Sequence, residues 1–141
     1  MIDSTIFKSY DIRGVYPDQL NEDSAYKIGR GFVRHTGAKK VAVGYDARIS
    51  SPVLFDSLVK GITEEGANVY NLGQVPTECL YFGVGFYNFD VGIMITASHN
   101  PKEYNGFKMM QKKGKDIIWI RGEDLLSVVD KDSKDNIIKG T

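Results

Sequence analysis

The chain has 141 residues, enough for one domain with a real core, of which 42% are apolar; its formal net charge is zero and it has one cysteine. No lysine- and arginine-rich block and no run near the ~20 apolar residues of a bilayer span occurs, so neither a nucleic-acid nor a membrane partner is expected. Cys79 has no internal disulfide partner, and the segment from Met1 to Phe7 has neither the basic nor the apolar region of a signal peptide, so a cytoplasmic location is expected.

Lys8 precedes Tyr10-Asp11-Ile12-Arg13-Gly14. Two cations and a glycine suit an anion-binding loop, because the arginine fork matches phosphate; the plainer reading is a surface turn with solvated charges. Asn21 caps a predicted helix with Ala25, Ile28, Phe32 and Val33 on one face and Gly37 as its stop. Residues 40–45 read as a short buried strand. Asp46 and Arg48 follow it, either as a surface ion pair or as groups lining a crevice. Ser51-Pro52 starts a second helix, with the serine as cap, proline in the first helical position, and Leu54, Leu58 and Ile62 as a stripe that ends at Gly66.

Residues 68–72 are a second strand. Pro76-Thr77 opens a third helix through Leu80, Val84 and Tyr87. Residues 91–96 are a third strand, the most apolar, and 107–111 a fourth. A turn and short edge strand fall within 112–120. Residues 122–130 read as a last helix with Leu125, Leu126 and Val129 inward, and 132–141 as a polar linker.

Strands alternating with helices imply right-handed crossovers and parallel pairing. The connection after the third strand is too short for a helix, and Asn105-Gly106 is a reverse-turn signal, so the fourth strand should run antiparallel beside the third. The expected fold is a three-layer α/β/α sandwich around a four-stranded mixed sheet of order 2-1-3-4. Its switch point lies between the first and third strands, where open α/β sheets bind ligands. The same geometry puts Lys108, read as an edge-strand lysine, close to Ser98.

Ser98 stands where the third strand runs out, between Ala97 and His99-Asn100-Pro101. The plain reading is a serine that hydrogen-bonds its own loop. Hydrolase chemistry is disfavoured: no G-x-S-x-G elbow is present, and adjacent residues on extended backbone point apart, so His99 is poorly placed as a base for Ser98. A third reading is a hydroxyl that carries a phosphoryl group, with Lys108 to balance its charge. The acidic residues are scattered and form no metal-ligand cluster in the sequence.

Four segments together are more specific than any one: Phe7-Lys8-Ser9-Tyr10-Asp11-Ile12-Arg13-Gly14, Val43-Gly44-Tyr45-Asp46-Ala47-Arg48, Thr96-Ala97-Ser98-His99-Asn100-Pro101 and Tyr104-Asn105-Gly106-Phe107-Lys108. They resemble the first domain of the α-D-phosphohexomutase superfamily, in its phosphomannomutase/phosphoglucomutase branch. The resemblance implies an enzyme that interconverts hexose 1- and 6-phosphates, of mannose, glucose or both, through a bisphosphorylated sugar. It implies that Ser98 is the phosphoserine, that His99 and Lys108 assist proton transfer and charge stabilisation, and that Tyr10 and Arg13 flank the phosphoryl group. It also implies Mg²⁺ bound through the Ser98 phosphate.

Members of that family have four domains, and this sequence matches the first. Residues 1–131 are expected to be the phosphoserine domain and 132–141 a linker towards a second. The Asp-Gly-Asp-Gly-Asp metal loop, the sugar-recognition loop and the distal phosphate loop of the other domains do not occur here, so the chain alone is expected to be inactive and to need domains II–IV as partners. The alternative is a stand-alone phosphate- or sugar-phosphate-binding module without catalysis.

Overall fold

A computed structural model describes residues 2–86, 89–97, 100–114, 116–126 and 128–129, leaving aside the side chains of 82, 85 and 86. Ser98, His99, Tyr87 and the linker at 132–141 lie outside the described residues.

The elements are a short 3-10 turn (Ser4–Ile6), β1 (Ile12–Val15), α1 (Glu22–Thr36), β2 (Lys40–Tyr45), α2 (Ser51–Glu64), β3 (Asn68–Gln74), α3 (Thr77–Phe86), β4 (Val91–Ile95), β5 (Tyr104–Lys113) and β6 (Asp116–Ile120). Residues 122–126 and 128–129 are also helical. The strands form one six-stranded sheet of order β1-β5-β4-β2-β3, with β6 also on β5. Strands β2, β3 and β4 are mutually parallel, and β5 runs antiparallel to β4. The four expected strands and their order hold.

The sheet has six strands and not four: β6 is the short edge strand expected within 112–120, and β1 was not expected. β1 pairs with residues 104–107 of β5, and β6 with residues 109–113, end to end along one border. β5 is therefore an interior strand, and Lys108 is not on an edge. Asn105-Gly106 is not a turn either: Gly14 pairs with Asn105 and Arg13 with Gly106. The chain reverses earlier, where the Tyr104 amide donates to the Pro101 carbonyl at 3.0 Å. Pairing with β1 overrides the local turn preference. It also requires glycine at 106, where a Cβ would stand 2.0 Å from the Ile12 carbonyl oxygen.

Alternation along the strands sorts side chains into two layers. Val41, Val43, Ile93, Ile95, Phe107 and Met109 face α1 and α2, and share one core with Ile28, Phe32, Leu54, Leu58 and Leu125. Ala42, Met94 and Met110 face the other way and pack with Leu80 and Val84 of α3. Each fully buried aliphatic or aromatic side chain contributes about 1.5–3 kcal/mol.

Helix α1 begins as expected: the Asn21 side chain accepts from the Ser24 amide, and Ser24 Oγ accepts from the Asn21 amide in return. It ends at Gly37, whose φ of 67° is the left-handed conformation that favours glycine. Helix α2 differs from expectation. Ser51 is its first residue and does not cap it; its hydroxyl instead donates to Asp46 Oδ1 at 2.9 Å. The carboxylate leaving β2 is the stronger acceptor and lies within reach.

Candidate functional site

Strands β2 and β4 end side by side; β2 runs on into α2 on one face of the sheet, while α3, which leads from β3 into β4, packs on the other. This is the switch point the sequence placed between them. The segment after β4 carries the candidate serine. Ala97, on its near side, is fully buried, and the Thr96 amide still bonds to the sheet through the Gly106 carbonyl at 2.9 Å. On its far side the Asn100 amide and side-chain nitrogen both donate to the Ala97 carbonyl, at 3.0 and 2.8 Å.

Lys108 stands opposite Met94, one pair removed from the end of β4. By alternation it points away from Phe107 and Met109, to the face that also carries Arg13, which pairs with Gly106. Along the outer border of β5, Lys108 falls between the stretch covered by β1 and that covered by β6. The interruption leaves a cleft of about 230 Å³ lined by Tyr10, Asp11, Lys108 and Trp119. Tyr10 projects from it, 81% exposed, and Trp119 is half exposed. Lys108 and the candidate tyrosine thus share one cleft, and Arg13 lies on the same face of the sheet as Lys108.

Asp11 orders this border. Its carboxylate is buried and accepts from Arg13 Nε at 2.9 Å. Its carbonyl accepts from the Lys8 amide at 2.8 Å, closing the turn that presents Tyr10. Lys8, Ser9 and Tyr10 form an exposed turn, as in the plainer reading, and the buried Asp11 carboxylate fixes Arg13 where the turn enters β1.

Asp46 and Arg48 settle on the crevice reading. Arg48 Nε lies 3.2 Å from Asp46 Oδ2, and the arginine side chain is only 13% exposed. Its terminal nitrogens donate to three backbone carbonyls: Nη1 to Pro101 at 2.7 Å and Tyr104 at 3.0 Å, Nη2 to Asn100 at 2.9 Å. A second hollow, about 500 Å³, opens here between residues 46–49, Asn100 and Lys102. Below it the fully buried Asn105 side chain donates to the Ser50 and Ser51 hydroxyls at 2.8 and 3.1 Å.

Sequence reasoning gave Asp11, Trp119 and Asn105 no role of their own. Asp11 and Asn105 are polar residues between apolar ones, a visible signal once both segments are read as strands. Trp119 depends on the course of β6 and left no signal. Among the described residues no group of three histidine, cysteine or carboxylate side chains could hold a metal ion, so they do not make a Mg²⁺ site by themselves. Among them, too, no helix is long and apolar enough to cross a membrane.

The phosphoglucomutase/phosphomannomutase α/β/α domain I family model matches residues 4–134, and the chain belongs to this family. It is 42% identical to a phosphoglucomutase of Neisseria gonorrhoeae over 130 residues, 90% of this chain and 28% of that protein. It is also 42% identical to a phosphomannomutase of Klebsiella pneumoniae over 117 residues, 83% of this chain and 74% of that sequence. The crystal structure of a phosphoglucomutase/phosphomannomutase family protein from Burkholderia thailandensis superposes with a TM-score of 0.80 at 37% identity, covering 96% of this chain and 31% of the other. The chain thus spans about a quarter of the length of most relatives it matches.

Proposed function

We propose that this chain supplies the phosphoryl-carrying serine of a hexose-phosphate mutase, with Ser98 as the carrier. One observation supports it above the family match: Lys108, one pair from the end of the strand that leads to Ser98, shares a cleft with Tyr10, and Arg13 lies on the same face of the sheet as Lys108.

The chemistry follows from charge. A phosphoserine carries about −1.5 to −2 charges at neutral pH, and phosphoryl transfer is mostly positioning and neutralisation of spread negative charge. In the first transfer the bond from phosphorus to Ser98 Oγ breaks. A free hydroxyl of the hexose phosphate forms the new P–O bond, and its proton ends on Ser98 Oγ. The product is a hexose bisphosphate. When the sugar presents its other phosphate, the reverse step restores phosphoserine 98 and leaves the isomeric monophosphate. Lys108 and Arg13 supply positive charge to the transferring group, Tyr10 flanks it, and His99 assists proton movement.

The substrate class is a 1- or 6-phosphorylated hexose, mannose, glucose or both. Mg²⁺ would be held through the Ser98 phosphate, with its other ligands outside the described residues. The lone, exposed Cys79 suits a reducing cytoplasm. Because most relatives are far longer, turnover is assigned to the longer protein, and this chain alone should be inactive.

Conversion of hexose 1-phosphate to 6-phosphate followed by phosphorus NMR tests the reading. The chain alone should show no conversion. Joined to the remaining length found in its relatives, it should show conversion that Ser98→Ala abolishes. Turnover by the joined protein that survives Ser98→Ala would overturn it.

A further inference from the structure

We propose that Arg48 is the positioning residue for the serine-bearing loop, acting as a carbonyl clamp beneath the segment by which that loop returns to the sheet. The inference rests on the mutase reading for its functional meaning and on geometry for its structural content.

An arginine at the mouth of a phosphate-handling crevice would ordinarily be assigned to the substrate. This one is committed elsewhere. Its Nη1 and Nη2 donate to the carbonyls of Asn100, Pro101 and Tyr104. Those three oxygens belong to a tight reversal; the contacts to Asn100 and Tyr104 are partly buried, where an unpaired carbonyl is costly, and the contact to Pro101 is exposed. A planar fork of five donors can serve three acceptors at once, and a lysine ammonium on a flexible stem cannot match that geometry.

The guanidinium is itself held. Asp46 accepts from its Nε, and the same carboxylate accepts from the Arg48 amide at 3.1 Å and the Ser51 hydroxyl at 2.9 Å. Asp46 is anchored in turn, since its own amide donates to the Ile95 carbonyl at 3.0 Å, the last residue of β4. The load path therefore runs from the end of β4 through Asp46 and Arg48 to residues 100–104. Ala97 is fixed by burial on the near side of the loop, and the clamp fixes the far side. Two residues, 98 and 99, connect these points. A group transferred from a serine needs a defined line of attack, and a fixed return segment serves that need.

Residue-resolved amide exchange on the 141-residue chain tests the clamp. In Arg48→Ala, the amides of Asn100 and Tyr104 should exchange at least about tenfold faster, the factor set by losing one charge-assisted bond, with Ile93 and Val43 in the sheet unchanged. Arg48→Lys should behave as Arg48→Ala, because retained charge without the fork does not restore three bonds. Wild-type exchange at Asn100 and Tyr104 in Arg48→Ala would overturn the proposal. So would equal acceleration of Ile93 and Val43, which marks a general role in stability, or full rescue by lysine, which marks a role of charge alone. A joined protein that converts hexose phosphate without Ser98, but shows the exchange pattern, sinks the mutase reading and leaves the clamp standing.

Discussion

A Cβ placed on Gly122 would stand 2.2 Å from the Asp11 carbonyl oxygen, with the Lys8 amide nitrogen and carbonyl oxygen each at 2.8 Å. The start of the last described helical stretch is thus seated directly on the turn that presents Tyr10, and the Glu123 amide donates to the Lys8 carbonyl at 3.2 Å. Backbone against backbone leaves no soft neighbour to give way. Gly122→Ala should cost about 1–3 kcal/mol in urea unfolding, the range of forced overpacking, and should shift the NMR signals of residues 8–13 more than those of β2 or β3. Unchanged stability would mean the two segments do not meet.

Helices α1 and α2 approach by the same device, used reciprocally. A Cβ on Gly29 would lie 2.4 Å from the Leu58 carbonyl, and one on Gly61 would lie 2.2 Å from the Tyr26 carbonyl. In an exposed helix glycine to alanine stabilises by up to about 1 kcal/mol. Here Gly61→Ala should destabilise by about 1–3 kcal/mol, and the sign is the test.

Lys108 is half-buried at a strand position whose neighbours carry the packing. Lys108→Met should leave stability within about 1 kcal/mol of wild type. The same change in the joined, full-length protein should slow turnover by about 100- to 1,000-fold, as expected when a positioned charge is removed from a charged transition state. Marked destabilisation with turnover unchanged would reverse its assignment.

Tyr16 and Tyr26 should titrate late. The Glu22 carboxylate that accepts from the Tyr16 hydroxyl raises its pKa above the ordinary phenol value, and Glu64 does the same for Tyr26, with burial adding to both. A raised native value means the neutral form is favoured in the fold. That stabilisation is complete below the unfolded value of about 10 and is lost as the pH rises through the native values. Absorbance titration should show a late-ionising component that falls by one tyrosine in Tyr26→Phe. A titration unchanged in its late part by Tyr26→Phe would contradict it.

The parallel core of the sheet was legible because β2 and β4 carry continuous apolar runs and amphipathic helices separate the strands, and periodicity carries that signal. β1 was not legible, since Ile12-Arg13-Gly14-Val15 is short, charged and glycine-bearing. Its strand character comes from the long β5 beside it. The same partner turned Asn105-Gly106 from an apparent turn into ladder. Lys108, Arg13 and Tyr10 were readable as site candidates from their sequence company. Arg48 was readable only as one of two possibilities, because its three carbonyl acceptors lie 52 to 56 residues away in sequence.

The account stands on Ser98 as the phosphoryl carrier. Incubating the joined, full-length protein with a hexose 1,6-bisphosphate and then measuring intact mass and peptide fragments tests it most directly. The predicted result is a gain of about 80 Da, one phosphoryl group, mapped to Ser98 and missing from Ser98→Ala. An unmodified Ser98, or a gain that persists in Ser98→Ala, would contradict the account.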